Sequence, residues 1–337
     1  MTVTAPPVPH LPPPTRPHVR AIRVLRDEAW TGALLILLVG LLIWQSTQIY
    51  LWGAYELETL FVSTLPLVFV ALAQTVVVIA GGIDLSVGAQ MVLFNCVSGY
   101  LMLDAGFGMS LVYAAVTLLL GMAVGVLTGW VITLSGVPDI IVTLASSFLW
   151  VGIALWIMPQ PAGGAPDSFR HLFIGTGTAF WPALLCIAVP VLLVWTPLRR
   201  TRVGLSIYAL GSDPQAAFLA GVDARKARLS AYALGGLFTG LAGLATTAYT
   251  SGGQASLGVA NTATLGAVAA VVLGGVALTG GLGGLIGPVL AVWCLFLIPA
   301  NLLTLGVDPS YGEVVRGVVI VFVVLGGSLL RRKWSRT

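Results

Sequence analysis

Charge is scarce in this chain: 8% of its 337 residues are charged, 16 Lys or Arg and 12 Asp or Glu, against roughly a quarter in soluble domains. So few charges cannot cover a water-soluble fold of this length. With 58% hydrophobic residues and a mean hydropathy of +1.00, the chain reads as an all-α, polytopic membrane protein. Lysine occurs only as Lys226 and Lys333, and neither completes GxxxxGK followed by Ser or Thr. The chain therefore has no phosphate-cradling loop of its own, and any ATP is hydrolysed elsewhere. His10, His18 and His171 lie outside the apolar segments, which excludes an intramembrane proton relay or metal site built on histidine and leaves Ser-His-Asp catalysis unsupported. Cys96, Cys186 and Cys294 are isolated in apolar sequence and read as small buried hydrophobes, not as a disulfide framework. The net charge of +4 and pI near 9.1 do not point to nucleic acid, because the basic residues gather beside apolar runs.

What is abundant is apolar sequence long enough to cross a bilayer, at about 30–52, 59–80, 85–104, 110–134, 139–158, 179–198, 229–250, 262–281, 285–305 and 312–330, or about ten crossings. Basic residues cluster before the first segment (Arg16, Arg20, Arg23, Arg26), between the sixth and seventh (Arg199, Arg200, Arg202, Arg225, Lys226, Arg228) and after the last (Arg331, Arg332, Lys333, Arg336). Even numbers of crossings separate these clusters, so all fall on one side, which the positive-inside rule makes cytoplasmic, with both termini. The expected organisation is a disordered, Pro-rich basic tail over 1–29, a membrane domain over 30–330 with a cytoplasmic loop at 199–228, and a basic tail over 331–337. Arg20, Arg23 and Arg26 before an apolar run resemble a signal peptide, but no small-residue cleavage site follows. Trp30, Trp44 and Trp52 look like interfacial anchors of an uncleaved first helix. Residues 159–178, with Pro159, Pro161, Gly163, Gly164 and Pro166, become the largest external loop.

One apolar run is broken by GGIDLSVG at Gly81–Gly88, and a near copy, GGVALTGG, follows at Gly274–Gly281. Glycine pairs break or tightly turn helices, and a lone carboxylate at membrane depth marks a functional position or a helix end. The chain therefore reads as an internal pseudo-repeat around a translocation path or gate built from Gly81, Gly82, Asp84, Ser86, Gly88, Gly274 and Gly275. Asp84 is either a gate or a cap on the helix beginning near Leu85. Gln74, Thr75, Asn95, Thr143 and Asn301 offer hydrogen bonds to a hydroxylated solute or between helices, Gly235, Gly236, Gly240 and Gly243 argue close helix packing, and Glu313 and Arg316 can pair on one helical face.

Within the cytoplasmic loop, Asp213–Ala220 (DPQAAFLA) reads as a short helix with Asp213 as N-cap, Pro214 at its first position and Gly221 as its stop. It is either a docking knob for a soluble partner or an ordinary capped connector. IAGGIDLSVG at 79–88, VPDIIVTLASSFLWVGIAL at 137–155, the loop at 200–244, AAVVLGGVALTGGLGGLIG at 269–287 and NLLTLGVDPSYGEVVRGVVIV at 301–321 together resemble the ribose-type sugar ABC transporter permease family. The likeness spans about residues 59–325. It implies a multi-pass permease of the bacterial inner membrane, with no cofactor of its own. Its partners would be an ATP-binding cassette subunit, a periplasmic substrate-binding protein and a second permease copy, identical or not. It also implies that Gly211, Ser212, Asp213, Pro214, Ala216, Ala217 and Gly221 belong to the region contacting the ATPase. Many sugar members carry acidic residues before the AAVVLGG stretch, where this chain has Thr264 and Gly266. The expected function is import of a monosaccharide or related polyol by alternating access. The rival is an ATP-independent secondary carrier or channel, which the missing proton relay disfavours; a membrane-embedded enzyme is more distant, since no catalytic cluster exists.

Overall fold

A computed structural model describes residues 17–50, 52–308, 311, 314, 317 and 318. In chain order the elements are α1 (Pro17–Gln48), α2 (Ala54–Ile79), α3 (Val87–Met102), α4 (Phe107–Ser135), α5 (Asp139–Ile157) and α6 (Asp167–Ile174). Then come α7 (Trp181–Ala188), a π-helical stretch (Val189–Trp195), α8 (Thr196–Leu198), α9 (Arg202–Ser212), α10 (Pro214–Leu219), α11 (Ala224–Thr250), α12 (Leu257–Leu273) and α13 (Ile286–Thr304). Helix α1 begins within the segment expected to be a disordered tail, because Pro17 suits a first helical position and the sequence after it is rich in helix-forming Arg, Leu, Ala and Glu. The π-helical stretch follows from Pro190, which lacks the N–H an α-helical ladder needs. The Glu313–Arg316 pair, residues 319–330 of the last expected crossing and the tail over 331–337 lie outside the described residues.

Among the described residues seven helices are long and apolar enough to cross a membrane, and α3 and α12 are shorter apolar helices. The protein is an all-α, polytopic membrane protein. Helix α2 is its axis: every residue from Val68 to Ile79 is buried, against α11, α12, α13 and α7. Helix α11 lies across α2, α3 and α4, and its approach to α4 depends on missing side chains. A Cβ at Gly125 would lie 2.9 Å from the Tyr232 carbonyl carbon and 3.1 Å from the Gly236 Cα, the small-residue contact that lets membrane helices associate closely.

The loops sort to two ends. At one end the Gly281 N–H donates to the Ile79 carbonyl at 2.9 Å, Tyr208 Oη donates to the Gly283 carbonyl at 2.8 Å, and Arg228 lies 3.8 Å from Asp139. At the other, Gly164 N–H donates to the Gly99 carbonyl at 2.9 Å, Ala162 and Gly253 form an isolated bridge, and Arg170 Nε donates to the Ala248 carbonyl at 3.0 Å. Segment 80–86 and the 199–223 loop therefore share one end, and 159–178 lies at the opposite one, the alternation that crossing parity requires.

Candidate functional site

Helix α2 ends because Gly81 adopts φ +84°, a left-handed conformation that side chains disfavour. The Gly81 N–H returns to the Val78 carbonyl at 2.9 Å and the Gly82 N–H to the Val77 carbonyl at 3.0 Å, which closes the last turn. Helix α12 ends by the same device: Gly275 has φ +79°, its N–H returns to Val272 O at 3.1 Å, and the Val276 N–H to Val271 O at 3.2 Å. The pseudo-repeat is real in backbone geometry, but its register is shifted by one from the sequence alignment, with Gly81 matching Gly275 and Ala80 matching Gly274. Turn geometry selects the pairing because only the left-handed position needs glycine.

Beyond the break the chain is pinned by a buried carboxylate. Asp84, 2% exposed, accepts on Oδ1 from the Ser86 N–H at 2.7 Å and from the Ser86 hydroxyl at 2.6 Å. Gln90 Nε2 lies 3.4 Å from Oδ2 and donates to Ser86 Oγ at 2.8 Å, while Thr239 of α11 donates to Gln90 Oε1 at 3.0 Å. Asp84 thus holds the N–H of the residue preceding α3 and ties that helix start to α11 through Ser86 and Gln90. Gly88, in the first turn of α3, donates its N–H to Thr264 Oγ1 of α12 at 3.1 Å.

The α2 break and the loop that follows the α12 break meet at α9. A Cβ at Gly211 would overlap the Ile79 carbonyl oxygen and lie 2.7 Å from the Gly281 nitrogen, and one at Gly280 would lie 2.8 Å from the Gly81 Cα. Gly211 is therefore seated between the end of α2 and the loop after α12. Ser212 beside it donates to the Tyr208 carbonyl at 2.8 Å. Gly81 meets Gly280, while Gly274 packs on the Gly287–Pro288 backbone and Gly275 on Trp30. Gly274 and Gly275 are thus not brought to the junction.

Asp139 and Tyr232, which the sequence reading passed over, complete it. Tyr232 Oη donates to Asp139 Oδ2 at 2.9 Å, and a Cβ at Gly82 would lie 2.6 Å from that oxygen and 3.1 Å from Tyr232 Oη. Thr143, a turn after Asp139, accepts from the Leu85 N–H at 3.0 Å. The broken segment is thereby fastened to α5 and α11, the latter leading directly out of the 199–223 loop.

That loop folds as its local sequence dictates. Asp213 accepts on Oδ1 from Gln215 N–H at 2.9 Å and from Ala216 N–H at 3.0 Å, Pro214 opens α10, and Gly221 follows it with φ +78°. Asp223 caps α11 at the Lys226 N–H, 3.0 Å away, a bond that holds its carboxyl below the usual carboxylate range. Ala217 faces inward and is buried, whereas Ala216 is exposed. The surface that α10 offers is dominated by Phe218, 74% exposed, and Leu219, 85% exposed. Two large apolar side chains on a polar loop were the signal within DPQAAFLA that pointed outward.

Of the other polar residues singled out in the sequence, Asn95, Thr75 and Asn301 bond within the bundle. Asn95 Nδ2 donates to Thr247 Oγ1 at 2.9 Å and to the Gly252 carbonyl at 2.8 Å, Thr75 donates to the Ala71 carbonyl at 2.6 Å, and Asn301 Nδ2 donates to the Leu41 carbonyl at 3.3 Å. Gln74 is buried in α2. Gly235, Gly240 and Gly243 abut Val77, Leu118 and Phe94. No group of three or more His, Cys, Asp or Glu able to hold a metal occurs among the described residues.

Residues 57–324 match the family described as branched-chain amino acid transport system / permease component. The chain is 33% identical over 265 residues to a ribose import permease protein from Escherichia coli strain K12, covering 76% of this chain and 80% of that one. It is 31% identical over 324 residues to an autoinducer 2 import system permease protein from Enterobacter sp. strain 638, covering 91% and 95%. It is also 31% identical over 276 residues to a fructose import permease protein from Rhizobium meliloti, covering 78% and 75%. No solved structure gives a significant match.

Proposed function

The chain belongs to the family of branched-chain amino acid transport system permease components, as a ribose-type sugar permease, and we propose that it forms the membrane path of a binding-protein-dependent importer. ATP hydrolysis on a separate subunit supplies the energy, and a periplasmic binding protein delivers a monosaccharide or related polyol to a pair of permease subunits in the bacterial inner membrane. The observation that carries this reading is the seat of Gly211 between the α2 break and the loop after α12. Helix α9 leads through Asp213 into α10, whose Phe218 and Leu219 offer an apolar knob of the kind that fills a partner's groove. A displacement of α10 by the ATPase is delivered along α9 to backbone atoms of the α2 break and of the loop after α12, with no side chain between to absorb it. Side chains in packed cores switch between discrete arrangements and do not deform continuously, so a small push at such a seat selects between two states.

The test is Phe218→Asp. Since Phe218 makes little contact with its own chain, the variant inserts and unfolds as wild type does. It loses co-purification with the ATPase subunit and ATP-dependent uptake. Unchanged co-purification and uptake would return α10 to the status of a connector. A secondary carrier, the rival reading, would take up solute without nucleotide.

A further inference from the structure

Helix α12 presents a stripe of one face that no other part of the described chain covers. Gly258, Asn261, Thr262 and Leu265 recur at i, i+3, i+4 and i+7, and all four are exposed, Leu265 to 68%. Neither Asn261 nor Thr262 has a side-chain hydrogen-bond partner among the described residues. Hydroxyls of other spans do have one, as Thr75, Ser98, Thr117 and Thr128 show by bonding the carbonyl four residues earlier.

The stripe does not lie at the membrane surface. Gly266 packs on Leu67, midway along α2 (Ala54–Ile79), and Thr264 takes the Gly88 N–H at the start of α3. Asn261 is five residues from Gly266, about 7–8 Å along a helix. Its carboxamide is therefore held near mid-span, beside the start of α3 that Asp84 organises through Ser86. An amide that finds no partner in hydrocarbon is strongly disfavoured, so polar side chains at this depth face a water-filled cavity or another protein group. The exposed faces elsewhere behave differently: α4 presents Leu111, Val112, Val116, Leu119, Leu120 and Leu127, as lipid contact demands.

We propose that the Gly258–Asn261–Thr262–Leu265 face of α12 is a wall of the solute path and that Asn261 and Thr262 bind hydroxyl groups of a neutral solute in transit. The carboxamide supplies two donors and an acceptor, and the Thr262 hydroxyl one of each, which matches a polyhydroxylated molecule. Gly258 leaves room for it, and Leu265 gives an apolar surface for its C–H face. The stripe carries no charged side chain, which selects against anionic and cationic solutes that would arrive without a counter-charge. This inference rests on the permease reading, but its labelling test does not depend on ATP.

Asn261→Cys, Thr262→Cys and a lipid-face control, Leu119→Cys, are each placed in the intact transporter and exposed to a charged, membrane-impermeant methanethiosulfonate reagent, with the wild-type protein reporting any reaction at Cys96, Cys186 or Cys294. The proposal expects modification at 261 and 262 at least tenfold faster than at 119 and than in wild type. It also expects Asn261→Ala to raise the KM for whichever of ribose or fructose the wild-type complex accumulates by about tenfold, with assembly unchanged. Labelling at 261 and 262 no faster than at 119, with ATP-dependent wild-type uptake intact, would overturn the wall and leave the permease reading standing. A spontaneous disulfide between two copies at position 261, with no reagent access, would overturn it in favour of a copy-to-copy contact. Fast labelling in a protein whose uptake needs no ATP supports the wall and removes the ATP-driven reading instead.

Discussion

Replacing Gly211 with alanine tests the junction through the sign of its effect. Gly211 lies inside α9, where exchange of glycine for alanine in open space stabilises a helix by about 0.5–1 kcal/mol. At this seat the added methyl would overlap the Ile79 carbonyl oxygen and lie 2.7 Å from the Gly281 nitrogen and 3.0 Å from the Ile79 carbonyl carbon. These are backbone atoms joined by the Gly281 N–H to Ile79 carbonyl bond of 2.9 Å, so they cannot turn aside as a flexible side chain would. Overpacking of this kind costs about 1–3 kcal/mol, more than the helical gain. Either the junction loosens or α9 is displaced from it. A bias of about 1.4 kcal/mol between inward- and outward-open states already changes their ratio tenfold, so uptake falls about tenfold or more, while ATP hydrolysis continues without its usual dependence on solute. Gly152, on α5 with nothing within 4 Å of an added Cβ, is the control, and Gly152→Ala holds or raises the thermal midpoint in detergent. A Gly211→Ala protein that is as stable as wild type and fully coupled would refute the reasoning.

Tyr232→Phe leaves Asp139 without its 2.9 Å donor and costs about 1–3 kcal/mol, whereas Asp139→Asn keeps an acceptor there. Thermal unfolding should therefore rank the phenylalanine variant below the asparagine one, and the reverse order would remove Asp139 from the junction. Asp84→Asn keeps an acceptor for the Ser86 N–H, so it inserts and assembles with at most about 1 kcal/mol of lost stability. Asp84→Leu strands the Ser86 N–H and hydroxyl and loses at least about 2 kcal/mol. Solute uptake at equal membrane amounts separates the two roles of Asp84: full transport by the asparagine variant rejects a gating charge and leaves a structural cap. Cysteines placed beside Arg202 and Arg225 should be modified by an impermeant reagent only from the cytoplasmic side and one beside Gly163 only from the opposite side, and labelling of both positions from one side would break the topology.

Much of the architecture is legible because the physics behind it is local. Apolar runs of bilayer length form helices wherever they occur, and Asp213, Pro214 and Gly221 act on backbone groups within three residues of themselves. The site is less legible because its contacts join distant residues. Asp139 meets Tyr232 across 93 positions, and nothing in the spacing of either announces the other. Gln90 sits in an apolar run and carries no pattern, yet it links Asp84 to Thr239. The glycine repeat was visible, but its register was not, since the alignment of letters matched Gly81 to Gly274 while the left-handed conformation belongs to Gly81 and Gly275. Likewise, DPQAAFLA announces a helix without saying that Ala217 turns inward and Phe218 outward, because a helix of six residues takes its facing from what it packs against.

The most direct test of the account is uptake into liposomes holding this chain with its ATP-binding cassette subunit, supplied with the periplasmic binding protein and radiolabelled ribose or fructose. Accumulation that requires hydrolysable ATP on the cytoplasmic side, and that vanishes with a non-hydrolysable analogue or without the binding protein, is the predicted result. Equal accumulation by the permease chain alone, with no nucleotide present, would contradict it.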